Sequence, residues 1–205
     1  LVTAGGTREP IDPVRFIGNR SSGRQGHAIA EAAALRGATV TLITTTALPI
    51  PTGIEAGTVS TAAEMHTAVV ARAAEADVVV MSAAVADFTP VEVADQKLKK
   101  SNGVPAVVLQ PTEDTLLALG KCKAAGQTLV GFAAETVDVE ANAADKLTRK
   151  GADLIVANDV SAPGVGFEHP TNEVTILSVG GQRIEVALTT KAEVAEVRAE
   201  HVKSA

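Results

Sequence analysis

Short β-branched runs bounded by glycine, proline or aspartate alternate along this chain with alanine-rich stretches of helical period, and that alternation admits few folds. Residues 1–4, 39–44, 77–82, 106–110, 128–132 and 153–156 read as strands. Between them, residues 22–36, 62–74, 113–123 and 139–150 carry apolar side chains at three- and four-residue spacing and read as helices. The expected class is α/β: a three-layer, Rossmann-like, mostly parallel sheet with helices on both faces. After Asn158 the pattern changes. Residues 172–178 and 183–188 alternate around Gly180-Gly181 as a β-hairpin does, ahead of a last helix, so the C-terminal hairpin is expected to be antiparallel and to serve an interface. Two stretches, 49–58 and 84–105, are long and irregular, and loops of that length are usually functional or mobile.

Composition narrows the function classes. A formal net charge of −6 opposes non-specific binding to nucleic acid, so any phosphate binding must be local. The single cysteine, Cys122, excludes an internal disulfide, no Cys/His cluster has zinc-ligand spacing, and a reducing cytoplasm is the expected compartment. No apolar run approaches the roughly 20 residues that span a membrane, and no signal peptide opens the chain. The 205 residues suit one domain, 1–205, with no internal repeat or linker. Leu1 stands where a whole protein would have Met and is already in a strand, as in a domain cut from a longer chain. With no Trp or Tyr, the core must be aliphatic; the four Phe, at 16, 88, 132 and 167, lie in or beside loop stretches, either near a site or covering the ends of the core.

Four strand ends carry the groups that could do chemistry. The first strand runs into Gly5-Gly6, but roughly fifteen residues then intervene before a helix that carries Gly26, whereas a dinucleotide fold enters its helix at once. The start of that helix, with Ser21, Ser22 and Gly23, can bind an anion, and the inserted loop adds Arg15 and Asn19; a plain N-cap serine is the alternative. The third strand ends in Met81-Ser82-Ala83-Ala84-Val85-Ala86-Asp87-Phe88, small residues followed by a carboxylate that could bond a hydroxyl, hold magnesium or merely stabilise a turn. Lys97-Leu98-Lys99-Lys100 puts three cations in a loop of an acidic protein, either to compensate a triphosphate or as a solvated patch. Lys146 and Lys150 share a face of one helix, Phe132 in Gly131-Phe132-Ala133-Ala134-Glu135 is placed to pack on a base or sugar, and Asn158 closes a further strand.

These segments together resemble one family over nearly the whole chain: phosphopantothenate-cysteine ligase, the C-terminal half of a bacterial bifunctional flavoprotein of coenzyme A biosynthesis. The resemblance rests on GGTREPID, Arg15 and Asn19 in RFIGNRSSG, AAVADF, KLKK, PTEDTL, GFAAET, Lys146 with Lys150, and ANDV. It implies that the chain joins 4'-phosphopantothenate to L-cysteine using CTP and Mg2+, through an acyl-cytidylate. Asn19 would contact the pantothenate and stabilise that intermediate, Arg15 would reach a substrate phosphate across a homodimer interface, and Lys97 would lie on a mobile loop that closes over the nucleotide. Ala83, Ala84 and Asp87 would stand between nucleotide and acyl substrate. Gly6, Ser21, Gly23, Gly26, Met81, Ser82, Glu113, Asp114, Thr115, Leu116, Phe132, Lys146, Lys150 and Asn158 would contact nucleotide. Pro111-Thr112 departs from the Lys-Asn or Lys-Thr of the family, which puts one phosphate or ribose contact in doubt. The resemblance also implies a flavin-dependent decarboxylase partner or fusion, with FMN bound only there.

The chemistry suits these residue types. A carboxylate is a poor electrophile until its oxygen is made part of a CMP leaving group, which calls for cations and magnesium around the departing pyrophosphate. When the cysteine amine then attacks, an oxyanion develops that an amide N–H such as that of Asn19 can stabilise. Two other readings are an NAD(P)-dependent short-chain-type reductase, which normally uses a tyrosine acid that this chain lacks, and a nucleotide-sensing domain without catalysis.

Overall fold

In the buried strands successive residues point to opposite faces, and here both faces are covered. The computed structural model describes residues 1–135, 138–159 and 171–194. Strands β1 (Val2–Ala4), β2 (Arg8–Pro10) and β3 (Phe16–Gly18) precede helix α1 (Arg24–Leu35); β4 (Thr41–Thr44) and β5 (Glu55–Thr58) precede α2 (Ala62–Ala73). Then come β6 (Val78–Met81), β7 (Phe88–Pro90), a 3-10 turn at Lys100–Asn102, β8 (Leu109–Pro111), α3 (Thr115–Cys122), β9 (Thr128–Glu135), α4 (Val139–Lys150), β10 (Leu154–Asp159), β11 (Thr171–Ser178) and β12 (Arg183–Thr190). Eight strands form one sheet in the order β12-β11-β10-β9-β6-β1-β4-β5. Its six central and distal members, β10 to β5, are parallel, and β11 and β12 extend it antiparallel.

The expected α/β class, three layers and antiparallel C-terminal hairpin are therefore what the chain adopts. Val80, Val130 and Val156 lie in the core on the same face of the sheet as Ile29 and Ala30 of α1, whereas Val79, Leu129 and Ile155 lie on the face covered by α2, α3 and α4 with Met65, Leu119 and Leu147. That two-sided burial explains the continuous apolar runs. Each such Val, Leu or Ile contributes about 1.5–3 kcal/mol on burial. Gly26 lets α1 lie directly on β1, since a Cβ there would stand 2.6 Å from both the Ala4 Cβ and the Thr3 carbonyl oxygen. Helix α2 starts on a reciprocal Thr61–Glu64 capping box, and the buried Glu9 carboxylate accepts a further bond from the Ala62 N–H at 2.8 Å.

Several sequence readings need correction. Residues 106–110 are not a strand of the parallel sheet: the strand is Leu109–Pro111, paired with β7 in a two-stranded antiparallel ribbon. Residues 49–58 are not wholly irregular, because Glu55–Thr58 forms the parallel edge strand β5. A second ribbon, β2 with β3, occupies the loop after the glycine turn. These strands are three or four residues long and carry Pro, Gly or charge, so no period marks them. Within the C-terminal hairpin β11 is held by β10, Val174, Ile176 and Val186 are core residues, and β12 is the outermost strand of the sheet. Of the last helix only residues 191–194 are described, and they are helical; Phe167 and Val160 lie outside the described residues. Phe16 and Phe88 are about half exposed, while Phe132 packs against the core.

Candidate functional site

Taken in chain order, the six parallel strands are arranged 3-2-1-4-5-6, so β1 and β6 meet where the order reverses. In open α/β sheets ligands bind beyond the carboxyl ends of strands at such a switch point. Here the loops leaving β1 and β6 stay paired beyond the sheet: Gly5 accepts from the Ala84 N–H (2.8 Å), Thr7 N–H donates to Ala84 (3.3 Å), and the Thr7 hydroxyl accepts from the Ala86 N–H (2.9 Å). The Thr3 hydroxyl accepts from the Ala83 N–H at 3.0 Å. Ala83 and Ala84 are thus fixed by their backbones and offer only small side chains to a ligand. Ser82 has a buried hydroxyl with no hydrogen-bond partner among the described residues. It follows Met81, whose cross-strand partner Gly131 precedes Phe132, so the hydroxyl and the ring leave neighbouring strands at the same level.

The β2–β3 ribbon folds back on this junction. A side chain at Gly6 would strike the Asn19 carbonyl, and one at Gly18 the Thr7 carbonyl, so glycine at each position permits the return. Asn19 is brought between the two loops, where its Nδ2 donates to the Val85 carbonyl at 3.0 Å. Helix α1 then begins on Gly23, left-handed at φ +74°, with no side-chain cap and no acidic residue in its first turn. Neither Ser21 nor Ser22 is the N-cap: the Ser21 hydroxyl lies 3.4 Å from the Gly23 nitrogen, before the helix. Uncapped N–H groups at a helix start favour an anion. Gly26 and Met81, expected at the nucleotide, have packing roles in the structure: one seats α1 on β1, and the other is buried in the core facing α2.

Arg15 and the lysine loop meet on a residue that the sequence reading passed over. Asp12, 2% exposed, accepts from the N–H groups of Val14 and Arg15 at 2.8 Å each, from Arg15 Nε at 2.9 Å and from the Leu98 N–H at 3.1 Å. Arg15 Nη2 bonds both the Asp12 carboxylate and the Leu98 carbonyl, each at 2.5 Å. Burial alone would raise the Asp12 carboxyl, but the guanidinium and the backbone N–H groups outweigh it and hold it well below the usual carboxylate range. Lys97, Lys99 and Lys100 remain exposed beside this junction. An aspartate followed by proline is an Asx-turn signal, which is the only trace of this role in the sequence.

The remaining expected contacts gather on the other side of β6. Thr112 ties this segment to the junction, its N–H donating to Asp87 O at 2.9 Å and its hydroxyl to Ala86 O at 2.6 Å. At the position that departs from the family pattern, the side chain is therefore engaged internally. Asp114 caps α3 through Leu117 N–H (3.0 Å) and is ion-paired with buried Lys150. Burial opposes ionisation of Asp114, but the Lys150 ammonium and the Leu117 N–H outweigh it and lower its pKa. Lys146 Nζ donates to the Phe132 carbonyl at 2.7 Å. Buried Thr115 bonds His66 at 3.1 Å, Glu113 lies 3.5 Å from the same imidazole, and Leu116 belongs to the core under Gly131. Asn158 is half-buried at the carboxyl end of β10, opposite Ala134. Lys150 and Asp114 are thus committed to each other, whereas Asp87 and Lys97 keep exposed charges.

Among the described residues no three His, Cys, Asp or Glu side chains stand close enough to hold a metal ion. Asp87 alone fits Mg2+ only as one carboxylate beside phosphate oxygens, the usual mode for that ion. A cavity of about 720 Å3 lies at the opposite edge of the sheet, lined by the starts of β9 and β10 and by the β11–β12 turn; its Lys123 and Asp153 are paired with each other. No described helix is long and apolar enough to cross a membrane.

Residues 1–205 match the DNA/pantothenate metabolism flavoprotein C-terminal domain family. A coenzyme A biosynthesis bifunctional protein CoaBC from Bacillus subtilis is 48% identical over 196 residues, 95% of this chain and 48% of that protein. A protein named cysteine/cysteine sulfinic acid decarboxylase, from an unidentified prokaryote, is 48% identical over 197 residues, 95% of this chain and 55% of its own length. The chain thus spans about half the length of these relatives. The crystal structure of the C-terminal domain of a CoaBC protein superposes with a TM-score of 0.83 at 41% identity, over 98% of this chain and 92% of that one.

Proposed function

The chain belongs to the DNA/pantothenate metabolism flavoprotein C-terminal domain family, and on that premise we propose that it is a CTP-dependent ligase. It would form 4'-phosphopantothenoyl-L-cysteine from 4'-phosphopantothenate and L-cysteine in coenzyme A biosynthesis. The observation that carries the reading is one arrangement: the amide of Asn19 and the uncapped start of α1 lie at the carboxyl end of β1, and the β2–β3 ribbon that leaves there holds the lysine loop at its turn.

In the first step the pantothenate carboxylate attacks the α-phosphorus of CTP, a P–O bond forms, and pyrophosphate departs with the electrons of the broken bond. Lys97 and the N–H groups at the start of α1 face the negative charge that gathers on the leaving group. Bound magnesium would neutralise phosphate charge, with Asp87 as its protein carboxylate. In the second step the cysteine amine attacks the acyl carbon, the C–O bond to CMP breaks, and the amine loses its proton. Asn19, whose Nδ2 donates to the Val85 carbonyl, would turn that donor to the developing oxyanion. Ala83 and Ala84 leave room for the acyl chain, and the Ser82 hydroxyl and Phe132 ring suit the sugar or base. Lys146, Lys150, Asn158 and residues 113–116 frame that side.

A homodimer is part of the proposal, with Arg15 serving the partner's substrate phosphate. The surface that favours it is the pair of ribbons, where Val14, Phe16, Phe88, Val91, Val93 and Val108 are all at least 49% exposed, rather than the C-terminal hairpin. In longer relatives the flavin decarboxylase and its FMN would occupy the half that this chain does not match, and the whole would work in the cytoplasm. The test is release of pyrophosphate with each of the four nucleoside triphosphates in the presence of phosphopantothenate, followed by the amide product once cysteine is added. CTP is expected to be fastest. Equal or faster turnover with ATP would exclude the CTP-specific class, and no turnover with any of the four would favour a nucleotide sensor.

A further inference from the structure

We propose that Asp12 is a positioning residue for nucleotide activation: its buried carboxylate, with Arg15, grips both backbone polar groups of Leu98 and so sets where Lys97 presents its ammonium. The role of Lys97 in this inference rests on the ligase reading; the grip itself rests on geometry alone. Leu98 is 86 residues from Asp12 in sequence, yet its N–H reaches the carboxylate at 3.1 Å and its carbonyl reaches Arg15 Nη2 at 2.5 Å. A second tether, Ala94 N–H to Ile11 O at 3.0 Å, fixes the same loop to the same ribbon.

Among the described residues of this loop, Lys97, Lys99 and Lys100 are exposed and Val104 is 99% exposed, while Ala94 and Leu98, the two that the ribbon holds, are partly buried. A lysine on an untethered loop samples many positions, and only a small share would meet a triphosphate. The Asp12–Arg15 pair cancels its own charge, which leaves the cations of the lysine loop for a ligand. Arg15 uses Nε and one edge of Nη2 on Asp12 and the other edge on Leu98, so its Nη1 donors remain for a substrate phosphate while the grip stays closed. Acyl-substrate binding at Arg15 and nucleotide binding at Lys97 would then share one residue, Asp12.

Trypsin supplies a direct measurement, because its cleavage after Lys97 needs the Lys97–Leu98 bond whose N–H is on Asp12. Limited digestion of the intact protein, read by mass spectrometry well below the melting temperature, should show cleavage there about tenfold faster in Asp12→Asn and nearer the native rate in Asp12→Glu. Arg15→Gln keeps the backbone bonds to Asp12 and loses the Leu98 carbonyl, so it gives an intermediate rate and serves if Asp12→Asn does not fold. Native cleavage rates in folded variants would overturn the grip. For the link to Lys97, kcat/KM for CTP should fall about tenfold in Asp12→Asn, but less than twofold when Asp12→Asn is added to Lys97→Gln. Independent, multiplying losses would overturn that link. Faster cleavage in a protein without CTP turnover would sustain the grip and reject the ligase reading.

Discussion

At the scale of single residues, Asn19 and Lys97 are assigned by the proposed ligase reading to steps in which different charges develop, and that separates their effects. Asn19→Asp replaces a donor by an anion next to the Val85 carbonyl and opposite the proposed oxyanion. Loss of one such donor costs about 2.7–4 kcal/mol in the step that needs it. Amide formation should therefore slow more than activation, and the mixed anhydride should accumulate. Lys97→Gln should do the reverse, slowing pyrophosphate departure without build-up. Quenching each variant with CTP and phosphopantothenate, before and after cysteine, and weighing the products measures both. A variant at Asn19 that binds CTP normally and forms no anhydride would leave the residue a structural tie between two loops. Arg15, Asn19 and Lys97 were legible as polar or charged side chains on irregular stretches beside strand ends. The role of Asp12 was not, because a buried carboxylate is recognised by the donors around it, and one of those comes from Leu98.

At the scale of elements, α1 is joined to the end of β4 through His27. Its Nε2 lies 3.3 Å from the Thr44 hydroxyl and 3.2 Å from that of Thr46, and burial lowers its pKa. A neutral imidazole can accept from those hydroxyls; a protonated one cannot. Since the folded value lies below the unfolded value of about 6.5, stability is present in full above that pH and is lost as pH falls toward the folded value. The melting temperature of the native protein should drop below about pH 6.5 more steeply than that of His27→Gln. Parallel melting curves for the two on the acid side of that pH would remove His27 from the acid response. Asp12 and Asp114, both lowered in the fold, lose their contribution as pH falls through the ordinary carboxylate range and below it, and they do so equally in both proteins, so the comparison isolates His27. The helices were readable from their period and the buried strands from their β-branched runs, whereas β2, β3, β5 and β7 carry Pro, Gly or charge in place of such a run, and β8 was read as a strand at 106–110 but assigned to the wrong sheet.

For the whole molecule, the two ribbons project apolar side chains away from the sheet, and the proposed homodimer would cover them. Mixing inactive Arg15→Ala and Asn19→Ala subunits should restore part of the activity, since one mixed dimer in which Arg15 acts across the interface contains one intact site. A monomeric mass at full activity, or no recovery on mixing subunits that do exchange, would count against a shared site. What the chain determined by itself was the layer order: two-sided apolar runs demand helices on both faces, and glycine turns, small residues and cations at their ends mark the edge where a ligand can sit. Tertiary structure alone decided which of those polar groups are available. Lys150 and Asp114 bind each other, Thr112 turns inward, and Asp12 grips a loop 86 residues away, because hydrogen bonds between distant segments depend on where the sheet brings them and leave no period in the sequence.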